Sequence, residues 1–251
     1  MNTDRFQVIT PAHPQYRGLV RGLTKEVWPE FMLHDQVANE LWHELLDRFA
    51  EYQLALYDTQ NQRVAAMANS FPLRWNDPLE ALPEGGWDWA FRKAVADEKQ
   101  QLAANVHCAI QIVIRPDYQG QGLSTPVVEA VRALTKFKGL HSLIIPIRPS
   151  EKDKYPLINL DHYVTWKTEQ GLPFDAWLRV HVRAGGKMIK VCHESKLIRG
   201  TRAEWEEWTG MKFPQSGQYV IDGALNPMEM NVEKDEGIYI EPNVWMVHGM
   251  R

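Results

Sequence analysis

The chain has 251 residues and a net charge of −4, and hydrophobic and charged residues make up 44% and 24% of it. This length fits one large domain or two small ones, and the composition is that of an ordinary globular protein with a sizeable core. The slightly acidic charge argues against a general binder of nucleic acid or of anionic membranes. Two cysteines, Cys108 and Cys192, are too few for a disulfide framework and suit a reducing compartment.

The sequence predicts neither a signal peptide nor a membrane-spanning segment. The N-terminus lacks the basic segment and apolar core of a signal peptide, and no apolar run reaches the ~18 residues that span a bilayer. We therefore expect a cytoplasmic protein that binds neither membranes nor nucleic acid. No internal repeat or linker divides the sequence, so we expect a single domain over residues 1–251.

The first seventy residues predict strands alternating with helices. Alternating apolar and polar residues predict a strand at 6–9, and helical spacing predicts a helix at about 15–27. Asn39 can cap a second helix, because its side chain can accept a hydrogen bond from the first turn. Two further strands, 53–57 and 63–70, flank a polar turn.

Residues 71–105 form a long segment rich in proline, glycine and tryptophan, with a helix from about 88 to 102 at its end. Connections this long inside a compact domain are uncommon and are usually functional or disordered. The aromatic content argues against disorder. Trp75, Trp87 and Trp89 are therefore candidates for the wall of a substrate pocket, and plain packing of the segment is the alternative.

The rest of the chain is predicted as buried strands separated by helices. The predicted strands are 106–114, 140–147, 187–192, 218–221 and 237–240, and the predicted helices are 124–137 and 175–184. The pair Gly185-Gly186 ends the second of these helices. The segment from Glu241 to Trp245 is a candidate to close the same pocket, with no chemical role assigned to it.

Between a predicted strand and a predicted helix stands the turn Gln119-Gly120-Gln121-Gly122-Leu123-Ser124. This order places unpaired backbone N–H groups at the positive end of the helix dipole, where they attract a phosphate. Glycines let the backbone approach a ligand without an intervening Cβ. A P-loop needs G-x-x-x-x-G-K-[ST] and a dinucleotide fold needs G-x-G-x-x-G, and neither string is present. The turn predicts a phosphate site, and an ordinary tight turn is the alternative.

The segment from Ile112 to Ser124 resembles the acyl-CoA signature of the GNAT acetyltransferase superfamily, in which Q/R-x-x-G-x-G/A follows the fourth strand. The order of predicted elements from about Phe6 to Ile240 resembles that family as well. The resemblance implies an α/β (α+β) fold: a central mixed, mostly antiparallel sheet with helices on both faces and a splayed pair of parallel strands. It implies one acyl-CoA-binding domain with insertions at about 71–105 and 148–174.

The same resemblance assigns residues to coenzyme A. The backbone of the fourth strand would pair with the pantetheine arm, and the N–H groups of the turn would hold the pyrophosphate. The implied cofactor-binding residues are Ile112, Val113, Ile114, Gln119, Gly120, Gln121, Gly122, Leu123 and Ser124.

A histidine stands where many members of this family carry an acid–base tyrosine. That tyrosine lies four residues before a glycine, near the sulfur of CoA, and counting back from Gly185 gives His181. Imidazole titrates near neutrality, so His181 can protonate the leaving thiolate or carry out the reverse step. A hydrogen-bonded core histidine is the alternative.

The histidine also resembles a branch of GNAT-like proteins, the loading domains of polyketide synthases. That branch decarboxylates malonyl-CoA, passes the acetyl group to a carrier-protein thiol, and uses a histidine with a nearby threonine to stabilise the enolate. In this chain Ser150 would supply the hydroxyl. Arg183 or Arg199 is a candidate to pair with a substrate carboxylate, and a solvated surface arginine is the alternative for each.

Three functions stay open. The first is an acyltransferase that uses acetyl-CoA, or another acyl-CoA, as donor and a small-molecule amine as acceptor, with His181 as general acid. The second is a malonyl-CoA decarboxylase and S-acetyltransferase that loads an acyl carrier protein. The third is a non-catalytic acyl-CoA-binding module. The spacing of His107-Cys108 and Cys192-His193 does not fit a zinc site, so we expect no metal.

Overall fold

The computed structural model describes residues 5–250, so residues 1–4 and 251 of the expected domain lie outside the described part. Its strands are β1 Phe6–Ile9, β2 Leu54–Asp58, β3 Arg63–Leu73, β4 Val106–Ile114, β5 Ser142–Ile147, β6 Lys187–Gly200, β7 Gly217–Tyr219, β8 Met228–Asn231 and β9 Glu236–Gly249. They form one sheet in the order β1-β2-β3-β4-β5-β9-β8-β7, with β6 paired to β9. Every pairing is antiparallel except that of β4 with β5. The predicted mixed, mostly antiparallel fold is confirmed.

Helices cover both faces of this sheet. They are α1 Tyr16–Val20, α2 Leu23–Val27, α3 Gln36–Leu41, α4 Glu44–Asp47, α5 Gly86–Lys99, α6 Ser124–Phe137, α7 Leu160–Tyr163, α8 Ala176–Arg183 and α9 Arg202–Thr209. Side chains alternate across the sheet. Ile144 and Trp245 therefore pack in the core with α5, while Leu143 and Val244 pack with α6 and α8. Within the described residues, no helix has the length and apolar character that crossing a bilayer requires.

Pairing between β4 and β5 is confined to the first residues of the two strands. The paired positions are Val106 with Ser142, His107 with Leu143 and Cys108 with Ile144. Beyond them, residues 111–114 of β4 stay paired with β3 on one side but have no partner in β5 on the other. The two parallel strands therefore splay apart, as predicted.

A hydrogen-bonded histidine occupies the paired end of β4. His107 is fully buried, with its Nδ1 2.6 Å from Thr135 Oγ1 and its Nε2 2.8 Å from Ser70 Oγ. Burial, and then the nearby Lys138 ammonium, lowers the pKa of His107 to about 3. The imidazole is therefore neutral at pH 7 with both nitrogens partnered, as a structural core residue requires.

Several element boundaries differ from the predictions in the N-terminal half. The helix predicted at 15–27 is two short helices, because Gly22 between them adopts a φ of +83°. The helix predicted to be capped by Asn39 begins earlier, since Asp35 accepts the hydrogen bond from Ala38 N at 2.6 Å. The strand predicted to end at 70 runs on to Leu73, which shortens the long insertion.

The C-terminal half holds more strand than predicted. A register shift between Cys192 and Lys196 lets β6 continue to Gly200 rather than end at 192. The strand predicted at 237–240 is only the first part of β9, which runs through Pro242 into the centre of the sheet. Helix α9 was not predicted, although the capping-box residues Thr201 and Glu204 stand in the sequence.

Candidate functional site

The glycine turn lies exposed at the start of α6. Gly120 and Gly122 have φ angles of +73° and +77°, a conformation that residues with a Cβ rarely adopt. A Cβ at Gly120 would meet nothing within 4 Å, so the backbone conformation alone demands glycine there. Leu123, the N-cap of α6, makes no side-chain cap, so no side chain of the helix start occupies the first N–H groups.

A buried carboxylate holds the base of this turn in place. Tyr118, the residue before the turn, is buried and packs against Leu123, and its hydroxyl donates to Asp58 Oδ2 at 2.8 Å. Arg5 donates to the same carboxylate at 3.1 Å and holds the pKa of Asp58 well below its usual range. Asp58 is therefore ionised at neutral pH and fixes Tyr118, and through it the turn, to β2.

A cavity of about 940 Å³ lies between the splayed halves of β4 and β5. It is lined by residues 110–114 of β4 and 145–147 of β5. Gln119 and Ser124, at the two ends of the glycine turn, line the same cavity. Its tryptophans are Trp28, Trp42, Trp87 and Trp177. One cavity thus connects the open edge of β4 with the phosphate turn.

Most of the predicted site residues meet in or beside this cavity. Those that line it are Ile112, Val113, Ile114, Gln119, Ser124, Ser150 and Trp87, together with Glu241 and Asn243 of the segment predicted to close the pocket. Gly120, Gln121, Gly122 and Leu123 complete the adjoining turn.

Two residues assigned to the substrate pocket lie elsewhere. Trp75 packs edge-on against Trp89, with ring centroids 5.4 Å apart, and its Nε1 donates to the Pro78 carbonyl at 3.4 Å. Arg183 is exposed at the end of α8 and is not among the lining residues of the described chain. Neither residue lines this cavity, and packing within the insertion and the solvated end of the helix describe their positions. Arg199 is likewise a surface residue, paired with Glu236 at 3.0 Å.

His181 lies behind the cavity wall. Trp177 and Val180 of the same helix line the cavity, but His181 itself is buried and does not. Its Nδ1 is 3.0 Å from His248 Nε2, while its Nε2 has no hydrogen-bond partner among residues 5–250. Burial, and then His248, lowers the pKa of His181 to about 3, so the ring is a neutral imidazole at pH 7.

A buried ion pair that the sequence did not predict borders the cavity. Glu241 is fully buried, and its Oε2 accepts hydrogen bonds from Arg148 Nε and from the Tyr239 hydroxyl, each at 2.9 Å. Its Oε1 accepts a long bond, 3.4 Å, from Asn243 Nδ2, and no other donor in the described part of the chain reaches it. A carboxylate can accept about four hydrogen bonds, so Oε1 retains capacity for a further donor. The sequence feature that could have pointed to this ion pair is the placement of two polar residues, Glu241 and Asn243, on either side of Pro242.

Asn69 lines the cavity and has a buried side-chain acceptor. The Nε2 of Gln53 donates to the carbonyls of Phe49 and Ser70 at 2.8 and 2.7 Å, which turns its Oε1 toward Asn69. Asn69 Nδ2 donates to that oxygen at 3.0 Å, so Asn69 Oδ1 points away from Gln53 and has no partner among the described residues. A β-bulge between Asn69 and Ser70 sets this orientation, as bulges near functional sites do.

Positive charge gathers on the rim of the cavity. Arg17, Arg21 and Lys25 are exposed, lie on or between α1 and α2, and line the cavity. Three cations at one rim suit a ligand with several phosphate charges.

Neither metal nor cysteine chemistry is supported. In the part of the chain that the structure describes, no three His, Cys, Asp or Glu side chains are grouped to hold a metal ion. Burial raises the pKa of Cys108 well above its usual value and that of Cys192 to about 12, so both thiols stay protonated and unreactive.

Known proteins resemble this chain in sequence and in fold. No model of a known protein family matches the sequence. The arginine N-acetyltransferase avaD of Aspergillus versicolor is 29% identical over 95% of this chain and 87% of its own length. The loading GNATL domain of CurA from Lyngbya majuscula superposes with a TM-score of 0.62 at 16% identity, covering 98% of both chains. The GphF GNAT-like decarboxylase, solved with isobutyryl-CoA, gives 0.58 at 11% identity over 98% of this chain and 100% of its own. The predicted resemblance to GNAT-like chains is confirmed, and these likenesses show the GNAT fold.

Proposed function

We propose that this GNAT-fold protein is an acyl-CoA-dependent acyltransferase that moves an acetyl group from acetyl-CoA to a nitrogen acceptor. One observation carries the proposal: the open edge of β4 and the positive-φ turn at the start of α6 border a single cavity. A strand edge with free backbone groups suits the amides of pantetheine, and a helix N-terminus suits a pyrophosphate.

The donor would lie along β4. The N–H groups of residues 119–124 would hold the pyrophosphate, and the pantetheine arm would follow the edge from Ile114 toward Ile110. The rim cations Arg17, Arg21 and Lys25 would meet the remaining phosphate charge. Acetyl is the acyl group of choice because the relative from Aspergillus versicolor is named as an N-acetyltransferase.

A nitrogen acceptor fits the polar residues that line the cavity. Asn69 Oδ1 and Glu241 Oε1 are acceptors with unused capacity, and amines and guanidines supply N–H donors. Arginine is the first acceptor to test, since the relative is named for it.

In the reaction the acceptor nitrogen attacks the thioester carbonyl carbon. The N–C bond forms, the C–S bond breaks, the nitrogen loses a proton and the CoA thiolate gains one. The sequence assigns the second proton to His181 as general acid. That role requires the His181 ring to take up a proton, for example the one that the acceptor nitrogen loses, and to reach the thioester. In the structure the ring is neutral and lies behind Trp177 and Val180.

The test is incubation of the protein with acetyl-CoA and L-arginine or agmatine, followed by free-thiol release and mass spectrometry of the acceptor. We expect acceptor-dependent thiol release and an acetylated product. His181→Ala should lower kcat by about 10²–10⁴ if the residue is the acid, with an unchanged dissociation constant for acetyl-CoA. Activity that survives in His181→Ala assigns the residue to packing. Binding of acetyl-CoA without turnover of any amine supports the non-catalytic module instead.

A second function is favoured by Ser150. Ser150 lines the cavity, as does Arg148, two residues before it. A hydroxyl and a cation are the groups that an enolate and a malonyl carboxylate would need. Conversion of malonyl-CoA to acetyl-CoA, lost in Ser150→Ala, would assign the protein as a malonyl-CoA decarboxylase that loads a carrier protein. Unchanged malonyl-CoA leaves the nitrogen acyltransferase.

A further inference from the structure

Trp87 closes the inner end of the gap between β4 and β5. Ile110 lies two residues beyond Cys108, the last β4 residue that pairs with β5. The Ile110 carbonyl accepts a hydrogen bond from Trp87 Nε1 at 2.7 Å, and both residues line the cavity. The indole of Trp87, which belongs to the insertion, thus hydrogen-bonds to β4 just beyond the point where pairing with β5 stops.

The position of Trp87 is fixed from several sides. Its backbone N–H donates to Ser195 Oγ at 2.9 Å, and the Lys196 ammonium lies 3.1 Å from the ring centroid. Gly86 has a φ of +38°, and a Cβ there would overlap Ser195 Oγ and lie 2.9 Å from Cys192 Sγ. The chain can approach β6 this closely only at a glycine.

Charges behind the ring add to this rigidity. Lys196 Nζ is 3.1 Å from Asp35 Oδ2 and 3.7 Å from Asp88 Oδ1. Burial raises the pKa of Asp88 to about 7, despite the nearby ammonium. The ammonium lies between Asp35, Asp88 and the face of Trp87. Moving the indole would therefore also remove the aromatic partner of a buried cation.

We propose that Trp87 sets the length of the acyl group that the cavity accepts. The inference rests on the proposed function. A pantetheine arm anchored at the turn after Ile114 runs toward Ile110, about 13 Å of strand at 3.3 Å per residue. Its thioester end then faces the indole. A short acyl group fits in front of the ring, and a longer one has to displace a side chain that is hydrogen-bonded, stacked and 7% exposed.

The test is calorimetric titration of acetyl-CoA, butyryl-CoA and hexanoyl-CoA into the wild-type protein and into Trp87→Ala. We expect the wild type to bind acetyl-CoA at least about tenfold more tightly than hexanoyl-CoA. In Trp87→Ala the ratio should move toward hexanoyl-CoA by about tenfold or more, because the extra methylenes gain a buried apolar site.

Two variants keep the result interpretable. Trp87→Phe retains a ring but is smaller and lacks the indole N–H, so it should shift the ratio in the same direction by less, and it serves if the alanine variant does not fold. Trp75→Ala also removes a tryptophan from the insertion, but one that does not line the cavity. In this variant the ratio of the two affinities should stay at the wild-type value.

Two outcomes would overturn the length-setting role of Trp87, and a third would remove the proposed function. Equal affinity of the wild type for acetyl-CoA and hexanoyl-CoA, or an unchanged ratio in folded Trp87→Ala and Trp87→Phe, overturns the length-setting role while leaving acyl-CoA binding intact. A wild type that binds none of the three esters removes the proposed function itself, and the inference with it.

Discussion

The two ends of β4 differ in how their polar groups are used. At the paired end, His107 has partners on both ring nitrogens and the backbone is bonded to β5. At the open end, the backbone edge borders a cavity and Asn69 Oδ1 has no partner among the described residues. Buried polar groups are normally satisfied, so the paired end is organised for stability and the open end for a ligand.

A comparison of the buried histidines His107 and His181 sharpens this difference. Burial lowers the pKa of both His107 and His181 to about 3, so depth and charge state do not separate them. Their hydrogen bonds do separate them. His107 has two partners, whereas within residues 5–250 the ring of His181 has only His248. An unused ring nitrogen is the feature that keeps His181 a candidate for proton transfer, although Trp177 and Val180 stand between it and the cavity.

The largest effect on stability is expected at the inner end of the gap. Gly86→Ala should lower the free energy of unfolding by about 2–4 kcal/mol, since the new Cβ adds backbone strain and overlaps Ser195. Urea denaturation measures this loss. Gly18→Ala, in α1 with no atom within 4 Å of the new Cβ, should leave stability unchanged or slightly higher. Equal stability of the two variants would contradict the close approach of α5 to β6.

A smaller effect is expected at the turn, and it concerns the affinity for acetyl-CoA. Gly122→Val should weaken acetyl-CoA binding by about tenfold or more, because the left-handed conformation that aims the N–H groups becomes unfavourable. Gly139, at the other end of α6, also has a positive φ, of +67°. Gly139→Val should therefore cost similar stability but leave acetyl-CoA affinity unchanged in calorimetric titration. Equal loss of affinity in both variants would mean that the turn does not bind the phosphates.

A pH-dependent effect is expected at the paired end of β4. His107 has a folded-state pKa of about 3 and an unfolded value near 6.5, so the unfolded chain binds more protons between these values. The neutral histidine therefore contributes stability above pH 6.5, and this contribution is lost as pH falls toward 3. The slope approaches about 1.4 kcal/mol per pH unit for one such group.

Denaturation at pH 7 and pH 5 measures this slope. His107→Gln should show a shallower loss of stability over that interval than the wild type, because one titrating group is gone. Identical slopes would show that His107 is not held neutral in the folded state.

The sequence predicted the elements whose signal is local. The turn from Gln119 to Ser124 and the strand before it carry glycine and apolar patterns that do not depend on distant residues. The pairing of Glu241 with Arg148 could not be predicted, because it depends on β9 passing beside the end of β5. Trp75 and Trp87 look alike in sequence, and only the close approach at Gly86 separates a cavity residue from a packing residue.

The most direct test is amide hydrogen exchange of the wild-type protein with and without acetyl-CoA. We expect slower exchange in peptides that cover the open end of β4 and the turn, residues 112–124, with little change at Val106–Cys108, which already pair with β5. Calorimetric titration in the same buffer confirms that the ligand is bound. Bound acetyl-CoA with unchanged exchange at 112–124, or with protection confined to another part of the chain, would contradict an acyl-CoA site in the gap between β4 and β5.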